Sequence, residues 1–205
     1  MNRFSKDDWM PLLSRLNSIL LLSDDWKKHV GQDALSTGWC GAPPASEDEI
    51  LKAEKRLGVQ LPPSYRSFLL ISNGWRPFDY FVECLLPVQE IEPYGVAKPE
   101  DLKLIQTYYR EDDISDEIYL DYDTPKHNEA FRIRYYPESL LIGAPWGLGD
   151  LLLLNPQIVF PDGEWETIFF ADWVPGNERY RSFHDYVLDS VDTTQRISES
   201  KSARK

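Results

Sequence analysis

The spacing of apolar residues changes once along this chain, and that change limits the folds open to it. Before Gly74 the apolar positions recur every three or four residues, as one stripe of a helix requires; after Trp75 they fall in short extended runs bounded by Pro, Gly, Asp or Asn. Helices first and strands after predict an α+β fold, in which N-terminal helices pack on a curved, mainly antiparallel sheet. Trp9, Leu12, Leu13, Leu16, Ile19 and Leu20 set a first helix from about Asp7 to Leu22. Ser23-Asp24-Asp25 then reads as the cap of a short second helix carrying Trp26, Val30 and Leu35.

The sharpest local signal is Ser46-Glu47-Asp48-Glu49. A serine followed three residues later by glutamate forms a capping box, and Gly58 stops the helix because it takes the left-handed conformation easily. Pro62-Pro63 opens a fourth helix running to about Ser72. Expected strands are Leu85–Ile91, Glu117–Asp121, Phe131–Tyr135, Leu140–Gly143, Asp150–Asn155 and Trp165–Phe170, with a hairpin turn at Pro161-Asp162-Gly163. Phe183, Tyr186, Val187 and Val191 give a C-terminal helix over Ser182–Val191, and the polar residues after it read as a frayed tail.

Charge is unevenly spread. The whole chain carries 34 Asp and Glu against 22 Lys and Arg, a net charge of -12, which repels nucleic-acid phosphates. Residues 77–130 hold fourteen of the acids and four of the bases, a net of -10. Neither an apolar run of membrane-spanning length nor a secretory leader is read in the sequence, so a cytoplasmic address is expected. Cys40 and Cys84 read as two reduced thiols, with a single bridge between them left open, and His29, His127 and His184 do not complete a metal set with them.

The run Ser46-Glu47-Asp48-Glu49-Ile50, Leu57-Gly58, Leu61-Pro62-Pro63-Ser64-Tyr65, Phe68-Leu69 and Asn73-Gly74-Trp75 resembles the signature of the SUKH superfamily, which groups bacterial immunity proteins with fungal regulators of cell-wall assembly. Residues 85–91, 150–156 and 163–176, then Arg179-Tyr180 and Ser182-Phe183, look like the same family. The resemblance implies an α+β domain without catalytic activity and without a cofactor. It also implies, for bacterial members, binding to a toxin from a neighbouring cell, often a nuclease. On this reading residues 1–37 form an N-terminal helical extension, 38–191 the SUKH-like domain and 192–205 a flexible tail.

Pro62, Tyr65, Phe68, Asn73, Gly74 and Trp75 read as scaffold, since the prolines and glycine set backbone angles and the aromatics fill a core. The candidate contact surface is the acidic window Glu111, Asp112, Asp113, Asp116, Glu117, Asp121 and Asp123, with Tyr109, Tyr119 and Trp146 as apolar anchors. The same acids also fit a solvated loop. They lack the alternating pattern and distal glutamate of a calcium loop, so no metal site is assigned. No hydrolase motif is present, His184 reads as a surface residue, and the glycines at 143–149 lack the Lys-Ser/Thr of a phosphate loop. The expected partner is a cognate, basic protein toxin, with no nucleic acid and no membrane involved. A regulatory or scaffold module that binds host signalling proteins is the alternative. The pattern sets no oligomeric state.

Overall fold

The computed structural model describes residues 4–23, 26, 28–124, 129–145, 150–171 and 177–203. Four helices come first: α1 (Lys6–Leu22), α2 (Gln32–Thr37), α3 (Glu47–Leu57) and α4 (Pro63–Leu69). Strands β1 (Val82–Leu85) and β2 (Glu92–Pro93) lead into α5 (Tyr94–Ala97), α6 (Pro99–Tyr108) and α7 (Asp116–Tyr119). After a 3-10 turn at Ile133–Glu138 come β3 (Leu140–Pro145), β4 (Leu151–Val159), β5 (Trp165–Phe170), β6 (Asn177–Tyr180) and the closing helix α8 (Phe183–Ser202). The sheet runs β1-β3-β4-β5-β6 with every pair antiparallel, and β2 shares with β1 the same side of β3. The α+β class and the C-terminal helix are therefore as the sequence reads.

Local chemistry explains the elements that match. In the α3 capping box the Ser46 hydroxyl accepts from the Glu49 amide at 3.3 Å, and the Glu49 carboxylate accepts from the Ser46 amide at 2.8 Å. Gly58 ends that helix at φ 72°. Ser64 on the first turn of α4 donates from its amide and hydroxyl to the buried Glu164 carboxylate at 2.9 and 2.6 Å, tying the helix to the start of β5. The turn at 161–163 is closed by the Phe160 amide on the Glu164 carbonyl at 2.8 Å.

Four expectations are corrected. Residues 117–121 are no strand: Ser115 caps α7, its hydroxyl accepting from the Ile118 amide. The run 131–135 is no strand: the adjacent Phe131 and Arg132 are both buried, where an alternating strand would turn one of them out, and a 3-10 turn begins at Ile133. The first strand sits at 82–85, and Val88 and Ile91 are core residues of the irregular segment that follows. The tail is helical to Ser202, since Thr194 continues the buried stripe of α8 and Arg15 on α1 binds Asp192 at 2.6 Å and Gln195 at 2.5 Å. Helix α2 begins only at Gln32; Asp24 and Asp25 of the expected cap lie outside the described residues.

Both sheet faces are covered. Alternation puts Leu152, Leu154 and Phe169 in the larger core with Trp9, Phe68, Phe183 and Val187 of α1, α4 and α8. The opposite residues, Leu151, Leu153, Ile168 and Phe170, form a second core with Tyr94, Leu102, Ile105, Phe131 and Tyr136. Helix α1 contributes to the first core, so the N-terminal segment is packed on the same body. No helix among the described residues is long and apolar enough to cross a membrane.

Candidate functional site

The acidic window lies over the second sheet face, and a buried polar network holds it there. Glu166 on β5 is fully buried. Its carboxylate accepts from Arg179 at 2.8 Å, from the Tyr122 hydroxyl at 2.8 Å, from the Asn155 side-chain amide at 2.8 Å and from the Tyr119 hydroxyl at 3.2 Å. The Tyr119 ring has the Arg179 guanidinium 3.8 Å and the Arg132 guanidinium 4.1 Å from its centroid, and both cations gain from the negative ring faces. Burial pushes the Tyr119 and Tyr122 phenols well above their ordinary range, so both stay protonated donors. Next to them Tyr136 donates to Asn177, whose side-chain amide donates to the Ala130 carbonyl at 3.2 Å.

The window's acids divide by what they do for the fold. Glu111 accepts from the Arg134 amide and lies 3.3 Å from its guanidinium. Asp112 accepts from the Phe131 amide at 2.7 Å while its own amide donates to the Phe131 carbonyl at 2.9 Å. Asp116, exposed, pairs at 2.7 Å with the nearly buried Arg132. Asp121 accepts from the amides of Asp123 and Thr124 and from the Thr124 hydroxyl, which turns the chain locally. Asp113, Glu117 and Asp123 are exposed, and the side chains of Asp113 and Glu117 make no hydrogen bond among the described residues.

The expected anchors fare differently. Tyr119 is 0% exposed, so its role as a contact residue is corrected: its ring and hydroxyl are taken up by the network beneath the window. Tyr109 is half-buried against Phe170 and Phe131, at ring separations of 5.2 and 5.8 Å. Trp146 lies outside the described residues. Exposed apolar groups include Leu104 and Tyr108 of α6, 55% and 77% accessible and one helical turn apart, beside the buried stripe of Leu102 and Ile105, and Ile118 and Leu120 within the window itself. Sequence reading passed over the α6 pair for want of a helix there, although the two interleaved spacings, Leu102/Ile105 and Leu104/Tyr108, carry the signal.

Elsewhere the chemistry is sparse. Cys40 and Cys84 are both free thiols, so the bridge left open by the sequence is not formed. Among the described residues no group of three or more His, Cys, Asp or Glu side chains is placed to hold a metal ion. The ring of His184 stacks on Phe4 at 4.7 Å and meets Trp9 edge-on at 5.1 Å.

Comparison with known protein families gives a match. The model of the SMI1 / KNR4 family (SUKH-1) covers residues 44–189, more than half of the chain, from just before the α3 capping box into α8. No curated protein matches.

Proposed function

The chain belongs to the SMI1 / KNR4 family (SUKH-1), and from that premise we propose that it is a non-enzymatic immunity protein that neutralises a cognate toxin by covering the toxin's basic, substrate-binding surface. The observation that carries this reading is that the exposed apolar Leu104, Tyr108, Ile118 and Leu120 and the exposed acids Asp113 and Glu117 all fall within one stretch of net charge -10. Apolar groups supply contact area, while carboxylates steer a basic partner and reject acidic ones. The buried Glu166–Arg179 network supports it further, because a fixed support under the window removes ordering cost from binding. Tyr119 drops out of the contact set, and Glu111, Asp112 and Asp116 contribute through the charge they leave facing water. The reading places the protein in the compartment where an incoming toxin acts, the cytoplasm.

The test is co-expression with the product of the adjacent open reading frame, followed by binding kinetics on the purified pair. The expected result is rescue from a toxic product, with an association rate that falls at least tenfold between low and high salt. A harmless neighbour, together with co-purifying signalling proteins, would instead select the regulatory role. Association insensitive to salt would remove the acidic face from the interface.

A further inference from the structure

Beside the end of β1 lies a groove of about 1120 Å³, framed by α2, residues 39–44, residues 71–76 and the segment 84–90. Its floor is an aromatic corner: the rings of Trp39 and Trp75 meet at 71° with centroids 4.8 Å apart. Gly41 lies against that corner. A Cβ there would come within 2.5 Å of Trp39 Nε1, 2.6 Å of Ser72 Oγ and 2.8 Å of the Trp75 ring, so only glycine lets the backbone approach the indoles this closely.

Gly41 also carries an open edge of the sheet. It bridges Trp75, which in turn bridges Leu85. The bonds beside the bridge come from its neighbours, Ala42 N–H to the Gly74 carbonyl at 3.0 Å and Arg76 N–H to the Cys40 carbonyl at 3.2 Å. In an antiparallel pair this arrangement turns the N–H and C=O of the middle residue away from its partner. Among the described residues the N–H and C=O of Gly41 have no hydrogen-bond partner. Trp75 is 2% exposed, and its indole N–H is likewise unpartnered among the described residues.

We propose that this groove is a second binding site, which takes an extended, uncharged peptide segment of a protein partner, paired with the backbone N–H and C=O of Gly41 and packed on Trp39, with the buried Trp75 behind it. An extended chain is the ligand that supplies one acceptor and one donor at the spacing of a single residue, with side chains alternating onto an apolar wall. Charge does not select the ligand, because the rim groups Asp33, Arg76 and Glu90 are of mixed sign and Arg76 is paired with Glu83. The two thiols in the lining do not make this a nucleophilic site: burial pushes Cys40 up to about 11 and raises Cys84, so neither is a thiolate at neutral pH. The inference stands apart from the acidic face.

The experiment titrates the ¹⁵N-labelled chain with a terminally blocked valine-threonine pentapeptide, read at the Gly41 amide and at the indole N–H signals of Trp39 and Trp75. Saturable shifts at all three are expected. The same peptide N-methylated at its central residue should bind at least tenfold more weakly, and Trp39→Ala should lose at least tenfold while keeping the parent's circular dichroism. Silence at these three signals up to millimolar peptide, or equal binding of the N-methylated form, would overturn the proposal. The N-methylated comparison uses the unmutated protein, so it decides even if Trp39→Ala is unstable.

Discussion

On one face of the sheet Leu152, Leu154 and Phe169 lie among Trp9, Phe68 and Phe183, whereas on the other Asn155, Glu166 and Arg179 stand beside Leu153 and Ile168 and reach up to Tyr119 and Tyr122. The first face is covered by long helices, whose stripes bury enough apolar surface to hold them in place. The second is covered by a ten-residue helix, two four-residue helices and connecting loops, which bury little apolar area per residue. Directional bonds to a fixed carboxylate replace that missing area. The cost is a buried ion pair, which tolerates the loss of neither partner.

Removing one partner of that pair should therefore break the comparison most visibly. Arg179→Met leaves Glu166 buried without its cation and should cost about 3–5 kcal/mol in urea denaturation. The double change Glu166→Gln with Arg179→Met should recover part of that loss, because it removes the unpaired buried charge while the side-chain amide can still bond Tyr119, Tyr122 and Asn155. Equal losses in the single and double variants would mean that the ion pair is not what closes this face.

A smaller effect should sharpen the contrast between Glu166 and a second buried carboxylate, Asp79. Asp79, on the α8 side, accepts from Ser190 and Tyr186 and from the amides of Phe81 and Val82, at 2.5, 3.2, 2.7 and 2.6 Å. Burial nevertheless raises it above the ordinary value of 3.8. The folded chain then binds a proton more tightly than the unfolded one, so this contribution to stability is fully present below pH 3.8 and is lost as pH rises through the raised value. Asp79→Asn should flatten the fall of melting temperature over that window. Glu178, also raised by burial, should leave a residual slope of the same sign.

The smallest change in stability belongs to the surface. Asp113→Lys with Glu117→Lys should move unfolding by less than about 0.5 kcal/mol, since neither side chain bonds to the fold among the described residues. The same pair should slow capture of a basic partner about tenfold in stopped-flow kinetics. Asp112 and Asp116 are poorer choices for that test, because they hold the Phe131 amide and Arg132.

Much of the architecture was legible where a few neighbouring residues decide it. The Ser46–Glu49 box, the Gly58 stop, the Pro161–Gly163 turn and the strands at 140–143 and 165–170 need no more than local hydrogen bonds and side-chain period. The candidate surface was legible only as charge. Glu117–Asp121 alternates like a strand but is a capped helical turn, and Tyr119 among acids reads as an exposed anchor although it is the most enclosed residue of the window.

By itself the sequence determined the leading helices, the strands near 140–143, 150–155 and 165–170, the C-terminal helix, the family signature over residues 46–75 and the concentration of acids in residues 77–130, all of which are local in the chain. Only the tertiary structure decided which acids face water, which are bonded to the protein, and that Leu104 and Tyr108 stand outside while Tyr119 lies beneath. Those outcomes depend on Glu166 and Arg179, more than forty residues further along the chain, and on Arg132 turning inward onto the Tyr119 ring. Periodicity reports which side of an element is apolar; it cannot report that a distant carboxylate makes burial of Tyr119 and Arg179 favourable.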